Sequence, residues 1–279
     1  MACNDSDSQE QECYFILHDA QPPQAHSTAI IRSVTDLRFQ WHTVPTHSPM
    51  PIDLEQRAHI NKIDIGISAT SSGAYWAALL STFPHLENVK FTWRPCADDE
   101  EDTRTRRLAA QSFFDTVLQT LSATSVRRLC LHGFAMAYEL VERVFAYCAS
   151  TNRELELEQI TLVQAVGSTD IGVEKDLSRT VGCEIVERGW VRFVQDMRVR
   201  YPGMAERKAL QLGSLREFYA SRAGRRGVYF DLDRGDGQTV RMLQDLFEEG
   251  VWGRDLMDCL YGGWCDEGYE SLYHDQWGY

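Results

Sequence analysis

The sequence predicts an α/β solenoid, a single domain of about five to six irregular strand–helix units. Three observations predict it. A short motif, aliphatic-x-x-aliphatic-x-aliphatic or Phe, recurs along the chain. Each copy opens a stretch in which apolar and polar residues alternate, the period of a strand buried on one side. Segments of helical period fill most of the intervals between copies. Units of this kind must stack, because each buries its apolar face only against its neighbours.

Taken in order, residues 1–12 read as a polar, acidic, disordered tail, and the domain spans 13–279. "CYFILHDA" (13–20) reads as a short capping strand. The motif then appears as Val34-x-x-Leu37-x-Phe39, Ile60-x-x-Ile63-x-Ile65, Leu86-x-x-Val89-x-Phe91, Val126-x-x-Leu129-x-Leu131 and Leu157-x-x-Ile160-x-Leu162. A sixth, weaker copy has Leu210, Leu212 and Leu215, with Arg207 in its first slot. Helical periods cover Ala74–Thr82, Arg104–Leu121, Ala135–Ala149, Trp190–Arg200 and Thr239–Glu248. In the second, Phe114, Val117, Leu118 and Leu121 share one face; in the third, Met136, Leu140, Val144, Phe145 and Cys148 do. Pro84 and Gly133 mark breaks, and 42–53 and 94–102 read as surface loops. "GVYFDL" reads as a strand, and a capping segment begins at about 227.

Strand alternation sorts the side chains. Leu37, Ile63, Val89, Leu129 and Ile160 are expected in one buried column, with Phe39, Ile65, Phe91, Leu131 and Leu162 in the next. The residues between them face out: Asp36 and Arg38, Lys62 and Asp64, Asn88 and Lys90, Arg128 and Cys130, Gln159 and Thr161. This polar surface of mixed charge suits a specific, non-obligate protein partner.

The formal net charge is −13, from 41 acidic and 28 basic side chains, which argues against a general nucleic-acid binder. The charge is uneven. Residues 175–230 carry 12 basic and 6 acidic side chains, whereas 231–279 carry 3 and 12. Solvated helix faces, a contact between the two blocks, and a basic patch for an acidic partner all fit. The eight cysteines are scattered, the N-terminus lacks the regions of a signal peptide, and no apolar run is long enough to cross a bilayer. The expectation is a cytoplasmic or nuclear protein with free thiols and no membrane partner.

The phrases "LLSTFPHLENVKFTW" and "LSATSVRRLCLHGF" resemble a leucine-rich-repeat protein and, more narrowly, the repeat region of fungal F-box-type proteins. The resemblance covers roughly residues 30–220. It implies that successive strands line a concave face holding a protein partner, while an N-terminal F-box docks onto a ubiquitin-ligase scaffold. Two features depart from that family. The Asn or Cys that usually follows the strand is replaced by His42, Ser68, Arg94, Phe134 and Ala165. No F-box is found: about thirty residues precede the first unit, with Pro22 and Pro23 among them.

Catalytic and metal signals are weak. "DLDRGDGQTV" has the EF-hand's Asp231 and Asp233 but places Asp236 and Met242 where that loop needs Gly and Glu. A turn rich in Asp and Gly is the better reading. Cys259 and Cys265, with His274, lack a fourth zinc ligand. His42 and His47 read as surface histidines. "GISAT" around Ser68 lacks the second glycine of a nucleophile elbow, and Cys265 has acidic neighbours. Arg222, Arg225 and Arg226 read as a solvated loop rather than an anion grip. No enzyme, metal or cofactor is expected. The alternative is an enzyme on an irregular α/β fold with a site near Asp231–Asp236. The 29 residues after Gly250 carry three Trp and four Tyr. Residues 251–264 read as a cap on the last unit; beyond 265, a cap and an aromatic anchor for a partner fit equally.

Overall fold

A computed structural model describes residues 14–18, 36–40, 57–69, 71–93, 103–165, 189–220, 227–232 and 238–250; of the first two segments it describes the backbone. The strands are β1 (Tyr14–His18), β2 (Asp36–Gln40), β3 (Lys62–Ile67), β4 (Asn88–Trp93), β5 (Arg128–His132), β6 (Ala135–Ala137), β7 (Glu154–Glu158), β8 (Ile160–Ala165), β9 (Leu210–Leu212), β10 (Leu215–Ala220) and β11 (Gly227–Asp231). The helices are α1 (Gly73–Leu80), α2 (Thr103–Leu121), α3 (Tyr138–Ser150), α4 (Trp190–Arg200), α5 (Pro202–Glu206) and α6 (Gln238–Glu249). The fold is mixed α/β, as the alternating periods predict.

One sheet of seven parallel strands runs β1-β2-β3-β4-β5-β7-β9, the order of the chain with two strands left out. The register aligns the apolar positions. Leu37, Ile63, Val89, Leu129, Leu155 and Leu210 form one row, and Phe39, Ile65, Phe91, Leu131, Leu157 and Leu212 the next. From β3 to β7 every member of both rows is at most 1% exposed. The helices pack on this side. Phe91 meets Phe113 and Phe114 of α2 edge-on, at centroid distances of 5.2 and 5.9 Å. Phe145 of α3 meets Phe193 of α4 and Phe247 of α6 in the same way. Most of the buried apolar residues form one continuous core.

The fifth unit corrects the predicted frame. Ile160 and Leu162 do not continue the rows of Leu129 and Leu131; Leu155 and Leu157 do, three and five residues beyond Asn152 rather than an aliphatic residue. Gln159 sits at φ +53°, a left-handed conformation that turns the chain between β7 and β8. Ile160 and Leu162 are buried instead in a second sheet, ordered β11-β10-β8-β6, in which β6, β8 and β10 are parallel and β11 is antiparallel.

Two more corners lie beside Gln159. Gly133, at φ +76°, separates β5 from β6, and its N–H bonds to Glu158 O at 3.0 Å. Gly213 separates β9 from β10 and bonds to Leu157 O at 2.8 Å; a Cβ there would lie 2.9 Å from Glu158 Cγ. The corner at Gly133 also corrects a boundary. Residues 135–137 form a strand paired to Thr161–Val163, and the helix begins at Tyr138. Met136 is buried in either conformation, so the apolar period could not separate them.

The end of the seven-stranded sheet is closed by α6. Gln244 Oε1 accepts from Leu212 N at 2.9 Å, and its Nε2 donates to Leu210 O at 2.7 Å, so one carboxamide fills the bonding positions of a further strand. The basic and acidic blocks meet at this end and in the second sheet, which supports the inter-block contact. Arg198 donates to the carbonyls of Phe247 and Glu248, Lys208 Nζ lies 2.7 Å from Glu248 Oε2, and Arg216 Nε lies 3.4 Å from Asp231 Oδ2.

Candidate recognition face

The side of the seven-stranded sheet opposite the apolar rows carries the predicted surface residues. Asp36, Lys62, Asn88 and Arg128 fall in one register row, and Arg38, Asp64, Lys90 and Cys130 in the next. Eight of the ten predicted residues are therefore brought to two adjacent rows. Gln159 and Thr161 are not: Gln159 is the left-handed corner, and Thr161 is 8% exposed in β8. The shifted frame replaces them with Glu154 and Glu156, and Gln211 extends the second row.

A third row, missed in the sequence, comprises Thr92, His132 and Glu158. It lay one residue beyond the motif. The signal that could have found it is "ELELE", a clean alternation with three outward glutamates on one strand.

The face is held together by its own charges. Arg128 donates through Nη2 to Glu156 Oε2 at 2.6 Å and to Gln211 Oε1 at 2.6 Å, linking β5, β7 and β9. Thr92 Oγ1 donates to Asp64 Oδ1 at 3.0 Å. Glu158 Oε2 lies 3.1 Å from His132 Nδ1 and 3.8 Å from Lys90 Nζ. The His132 contact is close but not aligned as a hydrogen bond, and Nδ1 itself is buried. These side chains are a quarter to two-fifths exposed, enough to touch a partner while keeping fixed positions. Glu154 is exposed.

Cys130 lies at the centre of the face. Burial, and then the Glu156 carboxylate to which it is hydrogen-bonded, push its thiol up to about 12. Cys148, in the core, is pushed up to about 12 by burial alone. Ser68, of "GISAT", is buried, and its backbone N–H donates to Ser71 Oγ at 2.9 Å.

Elsewhere, a dent of about 390 Å³ lies where α1 and α2 end. Three of its four hydroxyls are already bonded to backbone: Ser81 to Ala78 O, Thr124 to Leu121 O, and Ser125 to Leu86 O. Among the described residues no group of three or more His, Cys, Asp or Glu could hold a metal ion, and no helix is long and apolar enough to cross a membrane. Asp231 ends β11 beside Arg216; Asp233 and Asp236 lie outside the described residues. So do the tail 1–12, the loops 42–53 and 94–102, Arg222, Arg225 and Arg226, the histidines 42, 47 and 274, and the aromatic segment 251–279. No family model and no curated protein matches the chain.

Proposed function

We propose that this chain is a non-catalytic protein-recognition scaffold, an irregular leucine-rich-repeat-like solenoid that holds a protein partner on the polar face of its seven-stranded sheet. The observation that carries this reading is the division of the sheet. Strands in chain order bury two apolar rows under helices on one side and leave three polar rows on the other. A broad, polar surface of fixed side chains suits a specific, reversible contact. A small-molecule enzyme is instead expected to gather convergent polar groups in a deep pocket. The three corners at Gly133, Gln159 and Gly213 support the repeat reading, because each breaks the chain just after a strand of the seven-stranded sheet, the first two at the same register level and the third one residue earlier. On the resemblance to F-box-type repeats, the chain acts as a substrate-recognition subunit related to ubiquitin-ligase adaptors, but without the F-box.

The test pairs capture from the native cell with a double substitution, Asn88→Trp and Glu154→Arg. Both residues lie on the face, and neither is part of its ion pairs. The fold is expected to hold, since substitutions at such positions shift stability by about 0.5 kcal/mol or less. Partners recovered by the wild type and identified by mass spectrometry are expected to be lost from the variant. Recovery of the same partners at equal yield would refute the face as the binding site.

A further inference from the structure

One carboxylate oxygen on the face serves two bases. Glu158 Oε2 lies 3.1 Å from His132 Nδ1 and 3.8 Å from Lys90 Nζ, so an imidazolium at 132 and the ammonium at 90 compete for it. Among the described residues Glu158 is the one carboxylate within 4 Å of Lys90, although Asp64 stands opposite it in register. Arg128 already holds Glu156 by two bonds, and Asp64 accepts from Thr92, the residue between Lys90 and the end of β4. The charged and titratable groups around His132 are Cys130 and Arg128 on its own strand, Lys90 on β4, Glu156 and Glu158 on β7, and Arg106 of α2. Arg106 donates to Gly133 O at 2.6 Å. His132 Nδ1 is buried, so a proton there must be shared with an acceptor at hand. Histidine is the side chain whose ordinary titration falls in the physiological range.

We propose that His132 is a proton-operated switch of this face: when it takes up a proton at Nδ1, Glu158 turns from Lys90 to the imidazolium and the Lys90 ammonium is released. No bond other than the N–H is made, and the proton comes from solvent. With Nδ1 unprotonated the Lys90–Glu158 pair carries no net charge; with it protonated the same three residues carry one unpaired cation. The released ammonium stands in the middle row, between Asp64 and Cys130, where it fits a carboxylate of the partner. This consequence rests on the recognition reading above. The switch itself does not, because it is read on the isolated chain.

The experiment follows the His132 ring carbons and the Lys90 Cε by NMR across about pH 5 to 8, the window in which histidine titrates. In the wild type, Lys90 Cε is expected to shift in a single step whose midpoint coincides with that of His132. In His132→Gln that step is expected to vanish. In Glu158→Gln, which removes the shared carboxylate, the Lys90 step is likewise expected to vanish. A Lys90 signal that stays flat, or a step that survives in His132→Gln, would overturn the switch. The recognition reading fails separately, when face substitutions leave partner capture intact.

Discussion

Glu217 is the residue whose removal tests the packing of the second sheet most severely. In "LREFYA" the inward positions of β10 are Leu215, Glu217 and Tyr219, and all three are fully buried. A buried carboxylate is costly unless it is bonded. Here Oε1 accepts the backbone N–H of Trp190, in the first turn of α4, at 2.7 Å. Oε2 accepts the Tyr219 hydroxyl at 2.9 Å. The carboxylate thus ties the start of α4, where the helix dipole favours a negative charge, to the sheet beneath it. Glu217→Ala leaves both donors buried without that acceptor, at about 1–3 kcal/mol each, so the expected loss is about 2–6 kcal/mol. Against a domain stability on the order of 5–15 kcal/mol, this removes a large share. Glu217→Gln keeps one acceptor oxygen and is expected to lose about half as much. Urea unfolding followed by tryptophan fluorescence reads both, through the midpoint at constant slope. Two variants within about 0.5 kcal/mol of wild type, the range of an ordinary surface change, would refute the argument.

Other outcomes follow from single positions. Leu129→Ala, in the central buried row, is expected to cost about 2–5 kcal/mol in the same unfolding assay. Gln159→Gly is expected to stabilise the chain, because a side chain at φ +53° costs roughly 1 kcal/mol that glycine does not; an unchanged or lower melting point would argue against the corner. Gly250→Ala is expected to destabilise, since φ is +72° and a Cβ would lie 2.7 Å from Arg198 Nε, the side chain that closes the end of α6. Cys130 and Cys148, both raised to about 12, are expected to resist a thiol reagent at neutral pH in the native state and to react once the chain is unfolded. Because their folded values lie above the unfolded one, their contribution to stability is complete below the unfolded value. It is lost as pH rises from there toward 12, so the melting point is expected to fall on the alkaline side.

Much of the fold is legible in the sequence because one side of each strand is buried and the other is not. Ile63 and Ile65, Val89 and Phe91, and Leu129 and Leu131 alternate with polar residues, and the register rows follow. The frame failed at one place for a physical reason. "ELELEQITLVQ" contains two consecutive strands, and no residue type announces the left-handed turn at Gln159 as a glycine would. Leu157, the last inward residue of β7, is aliphatic and three residues before Ile160, so it mimics the first slot of a unit. The same slip hid Glu154, Glu156 and Glu158, the contribution of β7 to the polar face. Arg153 and Glu217 were invisible for a different reason. Each is a charged residue at a core position, made tolerable by partners far along the chain. Arg153 donates to Leu121 O and Thr124 O and lies over the Tyr147 ring, while Glu217 waits on the first turn of α4. Pattern reading has no access to such long-range pairing.

The central claim, that a protein partner lies across the polar strand rows, is tested most directly by covalent footprinting of the captured complex. Carboxyl labelling and lysine acylation, each read by mass spectrometry with and without the partner, report on both sides of the molecule at once. The account predicts protection at Glu154, Glu158, Lys62 and Lys90, with unchanged labelling at Asp115 and Glu142 on the helical side. Protection of the helical residues, with the strand face labelled equally in both states, would contradict it.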